Sequence, residues 1–151
     1  MPQKTAIIFI GIQASGKSTF YHERFKDYVH INLDTLHTRN KENILIQECV
    51  ESGRSFVVDN TNPTREDREK YIRAAKDNGY CIHGYYFQSS VSDCIARNQK
   101  REGKARIPDH AVAGTHRKLE LPEYREGFDK LFYVRMEGRS FIVDEWNEIE
   151  E

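Results

Sequence analysis

Residues 11–18 form the pattern Gly-x-x-x-x-Gly-Lys-Ser, which constrains the fold more than any other feature of the sequence. The pattern follows the apolar run 6–10, which predicts a buried strand, and it precedes a predicted helix over about residues 17–25. Glycines let backbone N–H groups wrap around phosphate oxygens, and the start of the helix aims its positive dipole end at the same oxygens. The sequence therefore predicts a phosphate-binding loop (P-loop).

The residue types in this loop predict an ATP site that uses Mg²⁺. Lys17 is expected to reach the β- and γ-phosphate oxygens, and the Ser18 hydroxyl is expected to be a ligand of Mg²⁺. The other predicted ATP-binding residues are Gly11, Ala14, Ser15, Gly16 and Thr19. ATP and Mg²⁺ are therefore the expected cofactors.

Strand and helix patterns alternate along the chain, which predicts an α/β fold with helices on both faces of a parallel sheet. Five strands are expected, at residues 6–10, 29–31, 56–58, 80–87 and 131–134. Residues 140–143 are a candidate partner for the last strand across Glu137 and Gly138. Thr64, Ser90 and Asp109 are predicted to cap helices. The expectation is one domain over residues 1–151, a P-loop NTPase of the nucleoside-monophosphate-kinase-like type.

Composition narrows the function classes. A net charge of -1 gives no overall field for polyanions, so a nucleic-acid partner would need a local basic patch. Three scattered cysteines (Cys49, Cys81 and Cys94) favour reduced thiols in a cytoplasmic protein. No apolar run approaches the roughly 20 residues of a membrane span, so no membrane association is expected. The first ten residues predict a strand rather than a signal peptide.

Two carboxylates follow predicted strands at the edge of the sheet where chemistry is expected. Asp34 is the candidate to accept a proton from a hydroxyl nucleophile, and helix capping is its alternative role. Asp59 is the candidate to hold Mg²⁺ water or to orient the substrate, and a plain turn residue is its alternative. Thr61 and Asn62 would line the acceptor side, although turn chemistry explains the same residue types.

A basic stretch predicts a lid over about residues 97–109. The basic residues of this region and the helix after it are Arg97, Lys100, Arg101, Lys104, Arg106, Arg117 and Lys118. An arginine that closes over the triphosphate would stabilise charge during transfer, and a solvated helix face is the alternative. Residues 144–151 are acidic and are expected to form a solvated tail.

Four segments of the chain, in order, resemble the 5′-hydroxyl polynucleotide kinases, especially the kinase domain of the animal polynucleotide kinase–phosphatases. These segments are residues 16–20, residues 29–36, residues 57–63, and residues 116–118 together with the following 126–128. Asp-Asn-Thr-Asn-Pro at 59–63 is the most specific, because small-molecule kinases usually share the loop but not this run. The resemblance covers about residues 5–134.

The resemblance implies roles for particular residues. Asp34 would be the catalytic aspartate, Arg101 the lid arginine and Arg68 a nucleic-acid contact. The chain has Leu33 where the family often has arginine, and His37 where phage members carry one; in the family both arginines touch the acceptor strand.

The function expected from the sequence is transfer of the γ-phosphoryl group of ATP to a hydroxyl, foremost the 5′-hydroxyl end of a polynucleotide. One alternative is a small-molecule kinase for a sugar, nucleoside or antibiotic. Another is a nucleotide-binding regulatory module with slow hydrolysis. The 151 residues contain no phosphatase domain, so in an end-healing pathway a phosphatase or ligase is expected from another polypeptide.

Overall fold

The computed structural model describes residues 3–103 and 106–146, which fold around one six-stranded sheet. The strands are β1 (Thr5–Ile10), β2 (Val29–Ile31), β3 (Phe56–Val58), β4 (Cys81–Phe87), β5 (Lys130–Glu137) and β6 (Ser140–Glu145). Their spatial order is β2-β3-β1-β4-β5-β6. The first five strands are parallel, and β6 pairs with β5 in antiparallel register.

The predicted count of five strands is wrong, because the candidate partner at 140–143 is a full sixth strand. Glu137 pairs with Ser140, so the two strands are joined by a two-residue turn. Gly138 lies in this turn with a φ of 65°, a left-handed conformation that glycine adopts without steric cost.

The described residues form six α-helices, the first of which matches the helix predicted over about residues 17–25. They are α1 (Lys17–Arg24), α2 (Leu33–Leu36), α3 (Arg39–Ser52), α4 (Arg65–Asp77), α5 (Val91–Gln99) and α6 (Asp109–Lys118). Thr64 caps α4 as predicted, in a capping box with Asp67. Asp109 is the first residue of α6 and not its cap, because Pro108 occupies the N-cap position. Ser90 occupies the N-cap position of α5 without a side-chain hydrogen bond to the helix.

The core has two layers, one on each face of the sheet. Alternate residues of β1 point to opposite faces, so Ala6, Ile8 and Ile10 pack with α3 and α4. Ile7 and Phe9 pack on the other face, where Phe20 of α1 and Phe141 of β6 meet. All six residues of β1 are buried, and this strand therefore gives the P-loop a rigid base.

The two ends of the basic stretch belong to helices. Arg97 lies in α5, and the residues that the structure describes between α5 and α6 are 100–103 and 106–108. Lys104 lies outside the described residues.

The acidic tail predicted from residue 144 begins later than expected, because Asp144 and Glu145 belong to β6, where both are exposed. The Trp146 ring then packs 5.4 Å from the Tyr86 ring. Residues 147–151 lie outside the described part of the chain. Within the part that is described, no helix combines the length and the hydropathy needed to cross a membrane.

Candidate active site

The P-loop connects β1 to α1 and is held in place by contacts with distant residues. The Gly11 N–H donates to the Thr61 carbonyl at 3.0 Å, which attaches the loop to the segment after β3. Gly16 has a φ of 100°, and a Cβ at this position would lie 3.0 Å from the Phe141 ring. Glycine is therefore required at position 16 both by backbone conformation and by space.

Lys17 begins α1 and turns its amine back over the loop. Its Nζ donates to the Ile12 carbonyl at 2.8 Å and lies 3.5 Å from the Ser15 hydroxyl. Burial lowers the pKa of Lys17 to about 8, against an opposing effect of the Asp59 carboxylate. The amine is thus held where the phosphates of a nucleotide on the loop would lie.

Ser18 and Asp59 meet at the carboxyl edge of the sheet. The Ser18 hydroxyl donates to Asp59 Oδ2 at 2.7 Å, and His30 Nε2 lies 2.7 Å from the same oxygen. Burial acts to raise the pKa of Asp59, but hydrogen bonds from His30 and Ser18 and the charge of Lys17 hold it below its ordinary value. A hydroxyl and an ionised carboxylate beside the phosphate loop are the oxygen ligands that Mg²⁺ prefers, so this pair fits the ion.

His30 is a part of the site that the sequence did not reveal. It lies in β2, and its ring stacks on the Tyr21 ring with centroids 3.9 Å apart. In the sequence, the signal for His30 is only that a histidine stands one residue before the end of the strand that precedes Asp34. Its contact with Asp59 spans 29 residues, so local sequence does not reveal it.

A cleft of about 850 Å³ opens beside the P-loop. The lining residues are Gln13, Ala14, Lys17, Ser18, Asn32, Leu33, Asp34, His37, Asp59, Asn60, Thr61, Arg101 and Ile107. The cleft therefore brings together both predicted acids, the loop lysine and serine, Thr61 and the predicted lid arginine. Thr19 lies outside this lining, exposed on α1, and Ser15 within the loop is buried.

Asp34 lies in the short helix α2, which the sequence did not predict. Asn32 is the N-cap of this helix, and its Oδ1 accepts from the Thr35 N–H. Asp34 is therefore not the cap, and its exposed side chain lines the cleft.

The structure does not place Asn62 and Arg68 at the cleft, where both were predicted to contact the acceptor. Asn62 is buried, and its Nδ2 donates to the Phe9 carbonyl at 2.7 Å. The Arg68 side chain is fully buried, where it forms a two-bond ion pair with Glu126 at 2.9 and 3.1 Å and donates to the Asn62 carbonyl. Both side chains form buried contacts between different segments of the chain, and neither lines the cleft.

Side chains from both helices around the predicted lid contact the P-loop. Arg97 Nη1 donates to the Ala14 carbonyl at 2.8 Å, and Gln13 Nε2 donates to the Thr115 hydroxyl at 2.9 Å. Asn98 exchanges two hydrogen bonds with the backbone of Ile107. The two ends of the connection that carries Arg101 are therefore fixed to each other and to the loop.

Comparison with known proteins adds a family and relatives to this geometry. The sequence model of the family described as "AAA domain" matches residues 42–122, just over half of the chain. A bifunctional polynucleotide phosphatase/kinase of Schizosaccharomyces pombe is 29% identical over 93% of this chain and 36% of its own length. A putative bifunctional polynucleotide phosphatase/kinase of Acanthamoeba polyphaga mimivirus is 32% identical over 95% of this chain and 36% of its own. The chain thus spans about a third of these two relatives.

A third relative and two solved structures extend the comparison. An L-seryl-tRNA(Sec) kinase of Methanococcus maripaludis is 25% identical over 82% of this chain and 55% of its own length. A gluconokinase from Sinorhizobium meliloti superposes with a TM-score of 0.59 at 20% identity, over 89% of this chain and 84% of that one. Kti12 of Chaetomium thermophilum, solved with ADP-AlF3, superposes with a TM-score of 0.63 at 17% identity, over 86% of this chain and 88% of that one. These structures share the fold, which is the α/β fold of P-loop kinases.

Proposed function

Because this chain belongs to the AAA-domain family and is a P-loop kinase homologous to bifunctional polynucleotide phosphatase/kinases, we propose that it phosphorylates the 5′-hydroxyl end of a polynucleotide. The observation that carries the proposal is the cleft in which Asp34 shares one cavity with Lys17, Ser18 and Asp59. A hydroxyl placed there would have a carboxylate on one side and the triphosphate site on the other.

ATP would be held mainly by the P-loop. The backbone N–H groups of the loop and the start of α1 would face the phosphates, and Lys17 would supply a positive charge to the β- and γ-oxygens. Ser18 and Asp59 would hold Mg²⁺, directly or through water. When bound, Mg²⁺ neutralises charge that builds up between the β- and γ-phosphates.

Asp34 would orient the acceptor hydroxyl and accept its proton. The hydroxyl oxygen forms a bond to the γ-phosphorus while the bond between that phosphorus and the β,γ-bridging oxygen breaks, and ADP leaves. The proton of the hydroxyl passes to the Asp34 carboxylate. Arg101 lines the same cleft, where its charge would stabilise the transferring group.

The acceptor strand would be bound by exposed cations, since Arg68 is buried and only Arg101 of these lines the cleft. Lys41 in the first turn of α3, Arg101 and Arg106 are exposed. Each phosphate contact on a single strand gives a log–log salt slope of about -0.7, so two contacts weaken binding roughly sevenfold between about 50 and 200 mM salt.

A small-molecule kinase is the second candidate, and two observations favour it. The cleft wall carries Leu33, where polynucleotide kinases often have arginine, and His37, where the phage members have one. The buried Arg68 removes a third expected contact with nucleic acid.

The deciding experiment offers labelled ATP with two sets of acceptors: 5′-hydroxyl oligonucleotides of increasing length across a salt series, and a panel of sugars and nucleosides. We expect transfer to oligonucleotides that weakens with salt. A 5′-phosphate product would then suit a ligase-type reaction as the step that consumes it. Transfer to a sugar or nucleoside, with none to any oligonucleotide, would establish the second candidate instead.

The same assay tests the proposed base. Asp34→Asn should reduce transfer by about 10²–10⁴ with little change in the KM for ATP, because the amide cannot accept the proton. Asp27→Asn is the matched control, since Asp27 is an exposed carboxylate that precedes β2 rather than following it. Equal activity of the two variants would exclude Asp34 as the base.

A further inference from the structure

Glu42 is a fully buried carboxylate that the proposed reaction does not use. It lies in the first turn of α3 with 0% of its surface exposed. Four side chains donate hydrogen bonds to it at 2.9–3.2 Å: Arg39, Asn60, Lys70 and Tyr71. Burial acts to raise the pKa of Glu42, but the hydrogen bonds from Lys70, Tyr71 and Asn60 lower it, so the carboxylate remains ionised.

One of these donors connects Glu42 to the wall of the cleft. Asn60 Nδ2 donates to Glu42 Oε2 at 2.9 Å, and Asn60 Oδ1 accepts from the Leu33 N–H at 3.0 Å. A carboxylate can only accept hydrogen bonds, so it requires the amide nitrogen of Asn60 on its side. The amide oxygen must then face Leu33, the first residue of α2 and the neighbour of Asp34.

Helix α2 depends on such contacts because it contains only 4 residues. A single helical turn is not stable by itself in water. Asn32 holds its first turn by accepting from the Thr35 N–H, and Asn32 Nδ2 donates to the Asp59 carbonyl at 2.7 Å. Two side-chain amides thus attach α2 to the segment after β3.

We propose that Glu42 and Asn60 are positioning residues: the buried carboxylate fixes the orientation of the Asn60 amide, and that amide fixes the helix that carries Asp34. The inference rests on the proposed function for the role of Asp34 as base. Neither residue needs to touch the reacting atoms, because the effect passes through the backbone of Leu33.

Exchanging the two functional groups tests this coupling. Asn60→Asp places a second carboxylate 2.9 Å from Glu42, and the repulsion between them should displace residue 60 from Leu33. Adding Glu42→Gln restores a donor facing an acceptor, since the new amide nitrogen at position 42 can point at the new carboxylate at position 60. The amide oxygen at position 42 can still accept from Tyr71 and Lys70. The double variant has the same net charge as the wild type.

The experiment measures kcat and the KM for ATP with a 5′-hydroxyl oligonucleotide, together with amide hydrogen exchange across α2 in the nucleotide-free protein. Asn60→Asp should lower kcat tenfold to a hundredfold, leave the KM for ATP nearly unchanged and speed exchange at Leu33 and α2 relative to α1. The double variant should recover most of both losses. Lys70→Met is the control, because it changes the net charge by the same amount as Asn60→Asp but removes only a donor to the other oxygen of Glu42.

Three outcomes would overturn the inference: wild-type behaviour of Asn60→Asp, a double variant no better than the single one, or equal effects of Lys70→Met. Of these outcomes, a double variant that does not recover would point to a direct contact of Asn60 with the acceptor in place of the positioning role. If Asn60→Asp does not fold, Asn60→Ala removes the acceptor for Leu33 without adding charge. If the wild type phosphorylates no acceptor, the proposed function fails, and the exchange rates alone decide whether Glu42 and Asn60 hold α2.

Discussion

Replacing Arg68 by methionine should destabilise the protein without a specific effect on the acceptor. The guanidinium is fully buried, and Glu126 is only 8% exposed at its side chain. The substitution therefore leaves a buried carboxylate with only a 4.0 Å contact to Arg65 and a hydrogen bond from the Glu123 N–H. It also removes the donor to the Asn62 carbonyl. Breaking a buried pair in this way costs about 3–5 kcal/mol. For a domain of this length, about 2–4 °C per kcal/mol gives a fall in Tm of roughly 10 °C.

Thermal unfolding followed by circular dichroism measures this effect, and two further variants interpret it. Arg73→Met is the control on the same helix, because the Arg73–Glu69 pair is exposed and should contribute less than about 1 kcal/mol. Combining Arg68→Met with Glu126→Gln should recover part of the lost stability, since the carboxylate charge at position 126 is then removed as well. An unchanged Tm for Arg68→Met, together with a raised KM for oligonucleotides, would show that Arg68 contacts the acceptor and that the buried pair is unimportant.

Three further predictions concern the nucleotide site. Lys17→Ala should lower phosphoryl transfer by a factor on the order of 10² or more with little change in Tm, as measured with labelled ATP. Because burial lowers the pKa of Lys17 to about 8, kcat/KM for ATP should fall as the pH rises above about 8 and the amine loses its charge; a flat profile to about pH 10 would contradict this. Asp59→Asn should raise the Mg²⁺ concentration for half-maximal activity about tenfold or more, as found by Mg²⁺ titration.

The parts of the site that the sequence predicted depend on short stretches of chain. The P-loop is contiguous, and its flanking strand and helix follow from local hydrophobic patterns. Asp34 and Asp59 are predicted to lie close together, because parallel strands bring their carboxyl ends to one edge of the sheet. Both side chains line the cleft with Lys17, in agreement with that rule.

The parts that the sequence did not predict depend on distant partners. In the sequence, Arg68 cannot be distinguished from an exposed helical arginine. Its partner Glu126 lies 58 residues later, and only the folded structure brings the two together. Helix α2 has too few residues for a periodic pattern, and its contact with Asn60 spans 27 residues. Such pairings follow from the packing of whole elements rather than from local sequence preference.

The close approach of Phe141 to Gly16 has a consequence for the order in which the protein is made. Phe141 and Met136 occupy the space behind Gly16, and both lie in the last two strands of the sheet. During translation β1 and the P-loop leave the ribosome before β5 and β6, so this support cannot form until residues 136 and 141 have been synthesised. A ribosome-bound nascent chain therefore completes its nucleotide site only when the hairpin of β5 and β6 docks on the edge of the sheet.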